Sequence, residues 1–219
     1  MEAIKLNLIY VYDAYCTWCY ALGGVMAEVE KAYADLLDIE VLSGGMVLPE
    51  TPQHIGVLAE AYKSGVAAVR ERVDADFGPD FLWHIHSSEE SDWLPNSLKP
   101  AIALSIIKKH KPASSLAFSN DLQTSLFAEG RDLTDDEAYR HLLEKYDLDA
   151  DDFYKQLHSE EMADAARYDF ALAKQLQVTS FPTVLLQESE SKFHLMAKGY
   201  TDFETLSKRL NSAIASIHG

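Results

Sequence analysis

The pattern of apolar and polar positions changes character twice along the chain and divides it into three parts. Leu6 to Tyr12 is a mostly apolar stretch of seven residues, the pattern of a strand buried on both faces. Leu22, Val25, Met26, Val29, Ala32, Tyr33 and Leu36 then recur at helical spacing. Ile39 to Leu42 reads as a second strand, ended by Gly44 and Gly45. Residues 1–50 are therefore expected to be β-α-β.

From 51 to 177 helix signals replace strand signals. Pro100 lies just inside a helix start after Asn96 and Ser97. Thr134 to Glu137 fits a capping box ahead of Tyr139, Leu142 and Leu143. Met162, Ala165, Ala166, Phe170, Ala173 and Leu176 mark the inner face of another helix. Residues 178–219 return to strands. Thr183 to Gln187 and Phe193 to Ala197 flank a polar turn, which predicts a hairpin. A second capping box, Thr201 to Glu204, leads into a stripe of Phe203, Leu206, Leu210, Ile214 and Ile217. No linker rich in Gly, Ser or Pro separates the parts. The chain is expected to be an α/β protein whose helical block is inserted between a βαβ half and a ββα half.

Charge narrows the partners. The 219 residues carry a formal net charge of −16, with 47% hydrophobic residues. A general affinity for nucleic acid or an anionic membrane face is not expected. No apolar run is long enough to insert in a membrane. The start, with Asp13 closing its apolar stretch, does not read as a secretory signal. Cytoplasmic residence is the expectation.

The chemistry lies in the only two cysteines, Cys16 and Cys19, which form one C-x-x-C where the first strand gives way to the helix. A thiol reacts as its thiolate, and the first turn of a helix favours an anion. Three residues of separation bring both sulfurs to the same side, so they can close a small ring. Cys16 is expected to attack a substrate disulfide and Cys19 to resolve the mixed disulfide.

The segment Tyr12-Asp13-Ala14-Tyr15-Cys16-Thr17-Trp18-Cys19-Tyr20 resembles the active-site segment of thioredoxin-fold proteins. It is most similar to the DsbA-like disulfide oxidoreductases, in particular to their predicted protein disulfide isomerase branch. The resemblance implies a thioredoxin fold with a large all-helical insertion. It also implies a cis-proline loop facing the cysteines, placed here at Phe181-Pro182-Thr183. By the same resemblance, the backbone of Phe181 pairs with substrate and Thr183 begins the next strand; Thr17 and Trp18 complete the candidate substrate-binding residues. Thr17-Trp18 replaces the Gly-Pro of thioredoxin and the Pro-His of the strong periplasmic oxidant. A potential below that oxidant's is therefore expected. Thioredoxin's buried acid aligns nearer Tyr10 than Asp13, so Asp13 is expected either to relay a proton for Cys19 or to cap the active-site turn.

Other motifs read more plainly. His84 and His86 match no common zinc spacing, and no metal is expected. Trp83 and Trp93 read as core or domain-interface aromatics, and Trp18 as exposed. Asp147 to Asp152 reads as a helix start with a solvated face. No cofactor is expected beyond the dithiol, with glutathione as a candidate redox partner. The expected partners are protein or small-molecule disulfides and a recycling reductant. Two alternatives stand beside the oxidoreductase. One is a glutathione-dependent transferase or isomerase of the kappa or hydroxychromene-carboxylate isomerase type; the other is a non-enzymatic interaction or holdase module.

Overall fold

The structure is a computed structural model that describes residues 5–48 and 50–218, the side chain of His218 apart. Strand β1 (Leu6–Tyr12) is followed by helix α1 (Thr17–Ala32) and strand β2 (Leu37–Ser43). Among the described residues seven α-helices come next: α2 (Ala59–Arg72), α3 (Pro79–His86), α4 (Leu98–His110), α5 (Ser115–Phe127), α6 (Arg140–Lys145), α7 (Ala150–Leu157) and α8 (Glu160–Gln175). The chain closes with β3 (Thr183–Ser189), β4 (Lys192–Lys198) and α9 (Phe203–His218). The α/β class and the inserted helical block are both present.

The strands form one sheet in the order β2-β1-β3-β4. β1 runs parallel to β2 and antiparallel to β3, with Tyr10 opposite Val184 and Val11 opposite Thr183. Burial on both sides explains why β1 is so apolar. Leu8, Tyr10 and Tyr12 face the larger core shared with α1, α9 and the insertion. Ile9 and Val11 face a smaller core with Leu42, Ala173 and Leu185. Each fully buried aliphatic side chain of this kind contributes about 1.5–3 kcal/mol.

The register decides where the site lies. Since Val11 pairs with Thr183, the loop leaving β1 at its C-terminal end meets the loop entering β3. Residues 13–16 and 180–182 are therefore neighbours although they are distant in sequence. The insertion packs onto α1 through an aromatic box, in which Tyr20 lies 5.2 Å from Phe127 and 5.5 Å from Phe77, centroid to centroid.

Several local expectations need correction. At both predicted capping boxes the residue after the threonine is the cap. Asp135 accepts from the Glu137 N–H, and Asp202 from the Thr205 N–H at 2.9 Å. An aspartate is at least as good a cap as a threonine, and here it sits where the orphan donors point. Leu36 falls beyond α1 and is exposed. Trp83 is 44% exposed, whereas Trp93 is buried and stacks on His84 at 3.8 Å. The helix start expected at Asp147 to Asp152 is present, with Asp149 capping α7 by accepting from the Asp152 N–H.

Candidate active site

Cys16 is the N-cap of α1, with an extended backbone (φ −92°, ψ 113°), so its sulfur stands at the positive end of the helix. No side chain caps this end. The Cys16 carbonyl receives the N–H groups of Cys19 and Tyr20 at 3.0 and 3.1 Å, which starts the helix and seats Cys19 one turn in. Both cysteines are free thiols. Cys16 retains 6% exposure and Cys19 none.

Burial pushes the Cys19 thiol well above its ordinary value, and its hydrogen bond with Cys16 pushes the same way. The Cys16 thiol donates to the Phe181 carbonyl at 3.6 Å. The Phe181–Pro182 peptide bond is cis, and the buried Pro182 offers its own carbonyl to the Gly199 N–H. The close approach of this loop depends on Gly44, because a Cβ there would overlap the Phe181 ring.

Asp13 is a brace. Its carboxylate accepts from the Tyr15 N–H (3.0 Å), the Met46 N–H (2.7 Å) and the Ser97 hydroxyl (3.0 Å). Burial raises its pKa, and these three donors oppose the rise. A second support comes from α5. The buried Gln123 amide donates to the Asp13 and Cys16 carbonyls at 3.1 and 3.2 Å. Tyr10, near where thioredoxin carries its acid, instead donates its hydroxyl to the Cys19 carbonyl at 3.4 Å. Burial raises the Tyr10 hydroxyl well above its usual pKa, so it is no proton acceptor near neutrality.

Cys16 opens into a cleft of about 560 Å³ between the C-x-x-C and α2. Trp18, Met46, Val47, Leu58, Ala61 and Phe181 give it an apolar wall. Of the residues expected from sequence, Cys16, Thr17, Trp18 and Phe181 line this cleft together. Trp18 is half-buried, its ring 6.3 Å from that of Tyr200. Thr183 is turned inward, with its hydroxyl donating to the Ser180 carbonyl, and is not among the lining residues. Ser97, Gln123 and Tyr62 were not visible in sequence, since each reaches the site from the insertion across tens of positions. Among the described residues no group of three His, Cys, Asp or Glu side chains could hold a metal ion. No described helix is long and apolar enough to cross a membrane.

A family model described as Thioredoxin matches residues 10–208, nearly the whole chain. The chain belongs to the thioredoxin family. Solved DsbA proteins share its fold. A candidate protein disulfide isomerase from Nitrosomonas europaea superposes with a TM-score of 0.77 at 18% identity, covering 99% of this chain and 100% of that one. The cytosolic disulfide reductase DsbM of Pseudomonas aeruginosa gives 0.75 at 18% identity, covering 96% and 100%; it has also been solved with GSH. Identities this low speak for the fold alone. The ClpXP adapter protein SpxH of Bacillus subtilis (strain 168) is 24% identical over 178 residues, which cover 80% of this chain and 56% of that protein. The chain thus spans just over half the length of this curated relative.

Proposed function

We propose that this chain is a thiol–disulfide oxidoreductase in which Cys16 attacks and Cys19 resolves. One observation carries the reading: a thiol at a helix N-terminus lines an open cleft and is hydrogen-bonded to a second thiol that solvent does not reach. In the reduced protein the Cys16 thiolate attacks one sulfur of a substrate disulfide. A Cys16–substrate bond forms, the substrate S–S bond breaks, and its electron pair leaves on the other sulfur, which takes up a proton. Cys19 then loses its proton and attacks the Cys16 sulfur. The second substrate thiol is released and the Cys16–Cys19 disulfide remains. The Phe181 carbonyl, beside Cys16, is the backbone group on hand to hold an incoming chain.

The direction we propose is reduction or isomerisation in a reducing compartment, with a thiol such as glutathione as the recycling reductant. The likeness to a cytosolic disulfide reductase supports this. Cys19 beneath Cys16 favours redox exchange over a glutathione-dependent transferase or isomerase, which needs one nucleophile only. The match to SpxH favours a second reading, in which the fold is an adapter module and its cleft grips a partner. Disulfide reduction assayed on wild type, Cys16→Ser and Cys19→Ser separates the readings. The oxidoreductase loses turnover in both variants, whereas equal activity in wild type and Cys16→Ser would overturn it.

A further inference from the structure

A cation stands at the end of the cleft without a partner. Ala61, Gly65 and Ala68 line the cleft from α2, and their helical spacing continues to the exposed Arg72 on the same face. None of the lining residues is charged, so Arg72 is the first charge met along that stripe. Its guanidinium lies 5.9 Å from the centre of the Tyr200 ring. That ring in turn lies 6.3 Å from the ring of Trp18, in the cleft wall. The aromatic face orients the guanidinium, which enters no ion pair or hydrogen bond among the described residues. Asp202 does not take it up, since its carboxylate accepts from the N–H and the hydroxyl of Thr205, each at 2.9 Å. Arg70, the other cation in the last turn of α2, is committed. It donates to the Phe77 carbonyl at 3.3 Å and lies over the Phe77 ring.

We propose that Arg72 is a specificity-determining residue that binds the glycine carboxylate of glutathione while the glutathione sulfur reacts at Cys16. The inference rests on the oxidoreductase reading, with glutathione as its redox partner. The spacing fits. A Cβ on Gly65 would come 2.8 Å from the Thr17 Oγ1, so Gly65 marks where α2 meets the residue after Cys16. From Gly65 to Arg72 the helix advances about 10 Å. In glutathione the carboxylate belongs to the residue next to the cysteine, and two extended residues span about 7 Å. The long arginine side chain closes the rest. A guanidinium offers a carboxylate two parallel N–H donors, which the uncharged cleft wall does not. In a chain of net charge −16, such a cation also offsets the general repulsion of an anionic thiol.

Stopped-flow oxidation of the reduced protein by three disulfides tests this. They are oxidised glutathione, the disulfide of glutathione ethyl ester, whose glycine carboxylate is masked, and bis(2-hydroxyethyl) disulfide. In each, the Cys16 thiolate attacks one substrate sulfur and the other half leaves as a thiol. Cys19 then attacks the Cys16 sulfur and releases the second half, so the two protein thiol protons end on the two product thiols. Arg72→Gln should raise the half-saturating concentration of oxidised glutathione about fivefold and leave the limiting rate nearly unchanged. The ester and the hydroxyethyl disulfide should respond by far less. Arg72→Lys should recover part of the loss, whereas Lys63→Gln, which removes a charge paired with Glu60 on the far side of α2, should cause none. Added salt should weaken the wild type on oxidised glutathione and leave the ester unaffected. Equal half-saturation of wild type and Arg72→Gln by oxidised glutathione, or an equal loss on all three disulfides, would overturn the proposal. The Cys16→Ser control keeps the two claims apart: if oxidation by bis(2-hydroxyethyl) disulfide does not depend on Cys16, the oxidoreductase reading fails first.

Discussion

The two sulfurs differ in environment far more than in sequence position. Cys16 meets the cleft, whereas Cys19 is sealed beneath it and its thiol is pushed well up, first by burial. On the proposed reading, Cys16 attacks from the cleft it lines, while resolution waits for Cys19 to lose a proton. The sign follows directly. With the Cys19 pKa raised, its thiolate fraction near neutrality is small and grows about tenfold per pH unit. Release of a preformed Cys16-linked mixed disulfide should accelerate by that factor from pH 6 upward, without levelling off near the ordinary thiol value of 9.0. Stopped-flow measurement of substrate thiol release checks this. A rate independent of pH across the range would mean that another group has already taken the Cys19 proton. Neither Asp13, with its three donors, nor the protonated Tyr10 hydroxyl is free to do so in this structure.

At the scale of elements, the site is a meeting of ends: β1 into α1, β2 into the Gly44-Gly45 turn, and the cis-proline loop into β3. Glycine makes the closest of these meetings possible. Gly44→Ala should drive the Phe181 ring off the β2 turn, costing about 1–3 kcal/mol and lowering the exchange rate by moving the Phe181 carbonyl away from Cys16. Gly24→Ala, on the exposed face of α1 with nothing near its Cβ, is the control and should gain roughly 0.5–1 kcal/mol. Chemical denaturation and insulin-reduction assays on the pair check both. Equal effects at the two positions would mean that the Gly44–Phe181 approach does not matter. Elements governed by local pattern were legible in sequence. β1 has the predicted bounds, β3 and β4 extend theirs by one or two residues, and α9 buries Leu206, Leu210 and Ile214 of the predicted stripe while Phe203 and Ile217 are partly buried at its ends. Cap choice was less legible, because Thr134 and Thr201 are each followed by an aspartate that competes for the same donors.

At the scale of the molecule, the insertion is part of the site. Gln123 reaches across 107 positions to the Cys16 carbonyl, and Ser97 reaches across 84 to Asp13. Such contacts leave no periodic trace, so the C-x-x-C and the proline loop could be read from sequence while their supports could not. Tyr62 illustrates the same limit: it lies on the buried face of α2, and only tertiary packing makes it part of the cleft wall. The shared aromatic box and the Gln123 bonds tie insertion and sheet into one core, so unfolding should be a single transition. Gln123→Leu should lower stability by about 2 kcal/mol, the worth of two hydrogen bonds, and slow exchange by loosening the turn that presents Cys16. Urea unfolding followed by both far-UV circular dichroism and tryptophan fluorescence reads this. Two separated transitions in wild type would show that the insertion folds on its own.

The division of labour between the cysteines is tested most directly by intact-mass and peptide mapping of the single-cysteine variants after incubation with a disulfide substrate. The account predicts a stable adduct on Cys16 in the Cys19→Ser protein, and little or none on Cys19 in the folded Cys16→Ser protein. Comparable adducts on both cysteines, or an adduct on Cys19 alone, would contradict it.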